Sequence, residues 1–190
     1  MRLFVGIALP PAVSDALACI RRKFEPRSGP PGSDPALRWS MPEGWHVTLQ
    51  FLGAVADDRA ACVYEQLRTV RAAPLPIRIE GVGFFERAGV FWAGVTLTPQ
   101  LLALQQRVTA AMRNCGFIPE DRPYSPHITL ARAKGRGGAR ALRSLKTAVE
   151  NHAPDLASEF IAEEFLLYES FPGPEGSRYE IRARFPLAVL

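Results

Sequence analysis

Apolar residues run almost unbroken from Arg2 to Leu9, and after Pro10-Pro11 they recur at three- and four-residue steps as Val13, Leu17, Ile20 and Phe24. The first pattern predicts a strand. The second predicts an amphipathic helix opened by proline, whose missing N–H is not needed in a first turn. A Pro/Gly/Ser-rich stretch from Pro26 to Pro35 reads as a loop leading into Arg38-Trp39-Ser40-Met41 and an alternating strand that ends near Gly53. Asp57-Asp58 then reads as the cap of a second helix reaching about Ala73. Ile77 to Phe85 and Val90 to Leu97, joined by a turn at Arg87 to Gly89, predict a hairpin. Leu101, Leu104, Val108, Ala111 and Met112 mark a helix after Pro99. A further strand is entered through Arg122-Pro123-Tyr124-Ser125-Pro126 and left through Gly135 to Gly138. A helix from about Ala139 to Asn151 and strands at Phe160 to Glu169 and Arg178 to Leu187 complete the chain. Strand, helix, strand, helix, strand thus occurs twice, predicting one domain of two pseudo-repeat lobes over residues 1–190.

The His-bearing strand of each round opens on the same tetrapeptide pattern: His46-Val47-Thr48-Leu49 and His127-Ile128-Thr129-Leu130. Strand side chains alternate faces, so each segment sets an imidazole and a hydroxyl on one side and two anchoring apolar residues on the other. Two imidazoles facing one cleft make a matched acid and base near neutral pH. The chain holds three histidines; His152 falls at a helix end, where its cationic form suits the dipole. A zinc site needs three or four ligands, and no third His, Cys pair or acidic cluster accompanies these two at ligand spacing.

The 190 residues are 47% hydrophobic and 22% charged, values typical of a globular protein rather than a disordered one. Lys and Arg outnumber Asp and Glu by 23 to 19, a net charge of +4 that favours an anionic ligand. Cys19, Cys62 and Cys115 are odd in number and far apart, so neither a disulfide framework nor a metal-binding pair is expected, and a reducing, cytoplasmic setting fits. The apolar start is broken by Pro10-Pro11 and followed by an ordinary helix, which argues against a secretory signal. No apolar stretch has the length to span a bilayer.

With their surroundings, the two H-x-T-L segments resemble the two-histidine phosphoesterase superfamily, in particular its RNA 2′,3′-cyclic phosphodiesterase branch, also called 2′-5′ RNA ligases. The match includes the opening RLFVGIALP, the RW before HVTLQFLG, the FWAGV strand, the RPYSPHITLAR block, and the closing LYES with RYEIRARFPL. Tyr124 stands where the family usually has Phe. The resemblance implies an α+β fold of two pseudo-symmetric lobes, each an antiparallel β-sheet with helices on its outer side, and a cleft between. It implies metal-independent hydrolysis of RNA 2′,3′-cyclic phosphate ends to 2′-phosphates; separately, a monomer without cofactors is expected. His46 is then the proton donor and His127 the acceptor.

Opening a cyclic phosphodiester requires a base for the attacking water and an acid for the departing ribose oxygen, on opposite sides of phosphorus. Thr48 and Thr129 supply hydroxyl donors for the non-bridging oxygens. Arg132, which the resemblance links to phosphate binding, lies at an odd offset from His127. On a regular strand it would face away from the pair, so a strand end or bulge must turn it inward. Lys134, Arg136, Arg140, Arg143 and Lys146 form a basic run that reads either as an RNA track or as a solvated face. Of the aromatics Trp39, Trp45, Phe51, Phe84, Phe85, Trp92 and Tyr124, most belong to a core. Trp39 and Tyr124, just before the two His strands, are the candidates for stacking on a base. Other readings of the same residues are a hydrolase of a small cyclic nucleotide phosphate, a 2′-5′ ligase, and a non-catalytic RNA-end binding module.

Overall fold

The computed structural model describes residues 1–25, 36–173 and 176–188, so the expected loop from Pro26 to Pro35 lies outside the described residues. Nine strands and four α-helices follow one another along them: β1 (Arg2–Ala8), α1 (Pro11–Phe24), β2 (Leu37–Trp39), β3 (His46–Ala54), α2 (Asp57–Leu67), β4 (Leu75–Phe85), β5 (Val90–Val95), α3 (Pro99–Asn114), β6 (His127–Ala133), α4 (Gly138–Asn151), β7 (Ala157–Ala162), β8 (Glu164–Gly173) and β9 (Gly176–Pro186). Short 3₁₀ turns at Pro42–Gly44 and Glu86–Ala88 precede β3 and β5.

The fold is α+β, with two antiparallel sheets ordered β3-β1-β8-β9 and β2-β6-β5-β4-β7. Each sheet therefore holds one His strand. Along β1, Leu3, Val5 and Ile7 are buried in the main core while Phe4 belongs to a second cluster with Leu166 and Tyr168 on the opposite face. That alternation gives the sheet a helix-packed side and a cleft side. The helices cross between sheets: α1 leaves β1 and packs by β7 and α4, whereas α3 leaves β5 and packs by α2 and β3. One continuous apolar core results, with Leu17, Val63, Leu104 and Leu145 in the same cluster as strand residues of both sheets.

Four expectations change. The stretch Phe160 to Glu169 is two strands in different sheets: β7 pairs with β4 and β8 with β1, the chain crossing over at Glu163. Continuous apolar content cannot reveal such a crossing. Second, β2, read as the approach to the first His strand, pairs instead with the second, Arg38 opposite Arg132. Third, α2 ends at Leu67 and its N-cap is Ala56, so Asp57 and Asp58 lie in the first turn and act on the helix dipole rather than as caps. Fourth, Cys62 and Cys115 form a disulfide, their Cα atoms 5.8 Å apart, while Cys19 is free and exposed. Packing of α2 against α3 brings together two cysteines that sequence distance held apart. Among the described residues, no helix is long and apolar enough to cross a membrane.

Candidate active site

His46 and His127 line one small cavity between the sheets, of about 60 Å³, together with Thr48, Thr129, Phe51, Arg132, Ser40, Gly44 and Tyr179. The His/Thr quartet expected from the sequence is thus brought to one place. Both imidazoles are held alike. His46 Nδ1 lies 2.7 Å from the Gly44 carbonyl and His127 Nδ1 lies 2.8 Å from the Ser125 carbonyl, in each case two residues upstream. A carbonyl only accepts, so in both rings Nδ1 carries the donated proton and Nε2 is left for the cleft.

The walls differ. His46 sits among Phe4, Tyr179 and Tyr168, with ring centroids 4.5, 5.1 and 5.7 Å away. Burial among these rings disfavours the imidazolium and brings the His46 pKa down to about 4, against the Gly44 hydrogen bond that raises it; the charges of His127 and Arg132 lower it further. His127, edge-on to Phe85 at 4.9 Å, is also lowered, first by burial and then by Arg132. Gly44 has a second function: a Cβ there would come within 3.2 Å of the Tyr179 ring, so its bareness seats the aromatic that walls His46. Gly6 similarly lets β3 approach, since a Cβ would meet the Val47 carbonyl oxygen at 2.9 Å.

Arg132 reaches the cleft through a bulge. Thr129 pairs with Trp92 but Ala131 pairs with Phe91, so Leu130 and Ala131 are both buried in succession and the alternation slips by one. The guanidinium then stands 3.5 Å from the Thr129 hydroxyl, on the histidine side. The first His strand does the same. Its register shifts between Val5 and Gly6 and again between Leu3 and Phe4, and Phe51, at the offset from His46 that Arg132 has from His127, turns into the cavity 59% exposed.

Neither of the two aromatics expected to stack on a base lines the histidine cavity. Trp39 is 7% exposed and packs edge-on to Phe91 in the core; it borders only a neighbouring, larger cavity. Tyr124 packs against the core and spends its hydroxyl on the Thr48 carbonyl at 2.8 Å, with burial raising its pKa. Phe51 and Tyr179 are the rings that line the histidine cavity. The shared offset of Phe51 and Arg132 was the available sequence signal; Tyr179, on β9, carried none. His152 is exposed at the C-cap of α4, and its carbonyl accepts from Lys23. Arg140 and Arg143 lie on the exposed face of α4, Arg136 is exposed just before it, and Lys146 is paired with Glu86 at 2.6 Å; none lines either cavity. Among the described residues no group of three or more His, Cys, Asp or Glu is arranged to hold a metal ion.

Two antiparallel sheets that each present a His and a Thr to a shared cleft define a class of two-histidine phosphoesterase-like folds. Residues 10–170 match the family model described as the 2′-5′ RNA ligase superfamily, and the chain belongs to that family. It is 35% identical over 186 residues to an RNA 2′,3′-cyclic phosphodiesterase of Geobacillus stearothermophilus, covering 93% of this chain but only 55% of that protein's length. It is 28% identical over 183 residues to one of Archaeoglobus fulgidus, covering 95% and 97%. Among solved structures, TT0787 of Thermus thermophilus superposes with a TM-score of 0.76 at 27% identity over 98% of both chains.

Proposed function

We propose that this protein is an RNA 2′,3′-cyclic phosphodiesterase that opens the cyclic end to a 2′-phosphate by paired imidazole catalysis, acting as a monomer. The observation that carries the reading is the matched pair of histidines whose Nδ1 atoms are each engaged by a backbone carbonyl, leaving two Nε2 atoms for one cleft. The names borne by the Geobacillus and Archaeoglobus relatives agree with it.

In this reaction His127 Nε2 removes a proton from water as the water oxygen attacks phosphorus. The bond from phosphorus to the ribose 3′ oxygen breaks on the opposite side, and His46 Nε2, protonated, delivers its proton to that oxygen. The order of donor and acceptor follows the family's motif order. Thr48 and Thr129 donate to the non-bridging oxygens, and the Arg132 guanidinium adds charge that grows more favourable as the transition state becomes more anionic. Burial lowers both imidazoles in the free protein, and the arriving phosphodiester anion favours the imidazolium, so that His46 takes its proton from solvent as the substrate binds. A chemistry of two imidazoles and water has no step that calls for a metal.

The test is to incubate chelator-treated protein with a short RNA ending in a 2′,3′-cyclic phosphate and to identify the product. A 2′-phosphate supports the reading. A 3′-phosphate, or an untouched end, refutes it.

A further inference from the structure

The histidine cavity adjoins a larger one, of about 470 Å³, and the two share Ser40, Gly44, Arg132 and Tyr179 as walls. The larger cavity lies in the size range of small-molecule sites, about 300–1,000 Å³. Its outer wall is the start of β9, with Ser177 and Arg178, and its floor is β2 and the turn after it. Arg21 steadies that turn by donating to the Ser40 carbonyl at 3.1 Å while paired with Glu25.

Across the seam between the cavities, Arg38 of β2 stands directly opposite Arg132 of β6. Trp39 and Ala131, the next pair, are buried in the core, so both guanidinium-bearing chains lie on the cleft side. Like charges placed directly across an antiparallel pair repel, and here Arg132 is exposed at the cleft mouth beside the half-buried Arg38. Arg38 is half-buried, and among the described residues neither it nor Arg132 has an acidic partner; Glu43 borders the same cavity without pairing with either. Arg178 is by contrast engaged, paired with Glu180 and lying over the Phe171 ring at 4.8 Å. Two facing, unneutralised arginines at a cavity seam form a site whose repulsion an anion relieves.

We propose that the larger cavity receives the nucleotide on the 5′ side of the cyclic end, and that Arg38 binds the phosphodiester joining it to the terminal nucleotide while Arg132 stays with the cyclic phosphate. The inference rests on the proposed function, in which the substrate is an RNA end, and it makes Arg38 a determinant of chain-length preference. A mononucleoside cyclic phosphate lacks that linkage and leaves Arg38 without its anion.

Three substrates test it: a mononucleoside 2′,3′-cyclic phosphate, the dinucleotide with the same end, and that dinucleotide with an uncharged methylphosphonate as its internal linkage. In the unaltered protein the charged dinucleotide should exceed both others in kcat/KM by about tenfold or more, the worth of one charge-assisted contact. Arg38→Ala should bring the charged dinucleotide down to the methylphosphonate level and make the protein indifferent to the substitution. Arg38→Lys, which keeps the charge without the fork, should retain part of the preference. Equal rates on the mononucleoside and dinucleotide, no penalty for the methylphosphonate, or a full penalty persisting in Arg38→Ala would each overturn this inference alone. No opening of any of the three would overturn the parent reading with it.

Discussion

The Tyr124 hydroxyl donates to the Thr48 carbonyl at 2.8 Å, tying the segment that enters one His strand to the backbone of the other. Because β3 is an edge strand, this bond satisfies a carbonyl on the strand that carries His46 and Thr48 and fixes the two halves of the quartet relative to each other. Tyr124→Phe keeps the ring and removes the tie. The expected result is a loss of about 1 kcal/mol in unfolding free energy by denaturant titration, with a kcat decrease larger than the change in KM. An unchanged kcat would show that the tie does not set the geometry of the quartet.

The lowered histidines predict where the pH profiles fall. In the free protein both groups titrate below the usual 6.5, His46 near 4, so kcat/KM should rise and fall around an optimum on the acid side of 6.5. Bound phosphodiester raises both groups, so the kcat optimum should lie at higher pH than that of kcat/KM. Coincident optima would mean that the bound anion does not face the pair.

The same shift makes stability depend on pH. His46 is lower in the folded than in the unfolded protein, so the unfolded chain takes up a proton first as pH falls. Stability from this group is fully present above about 6.5 and is lost as pH falls through about 4. His46→Ala should flatten the unfolding free energy over that window; an undiminished slope would place the acid sensitivity elsewhere.

Arg132 and Thr129 act on the phosphate together. Arg132→Ala should lower kcat by about 10²–10³-fold, the loss typical of removing one preorganised donor, with a smaller effect for Thr129→Val. If Arg132→Ala raises KM and leaves kcat untouched, the guanidinium binds the ground state only.

Thiol titration of the protein prepared without reductant should count one reactive cysteine, Cys19, and all three after reduction and unfolding. Reducing the Cys62–Cys115 bridge, which joins positions 53 apart, should cost about 4 kcal/mol on loop-entropy grounds. Three thiols in the unreduced protein would contradict the pairing.

The His/Thr quartet was legible because strand alternation has a period of two and requires no knowledge of neighbours. The inward turn of Arg132 and Phe51 was not, because a bulge slips that period by one residue and is created by pairing with another strand. Trp39 and Tyr124 were read from nearness in sequence to the histidines, whereas the rings packed around His46, Tyr179 and Tyr168, arrive from the last two strands. The crossing at Glu163 and the disulfide were hidden for a like reason: both depend on which elements pack together, which periodicity along one segment does not encode.

The most direct measurement is the single-turnover rate of opening an RNA 2′,3′-cyclic end by His46→Ala, His127→Ala and the double variant, each shown folded by its far-UV and near-UV spectra. Catalysis by the pair as a unit predicts that each single variant loses at least about 10³-fold and that the double loses little more than either. A single variant that retains rates near those of the unaltered protein, or losses that multiply in the double, would contradict it.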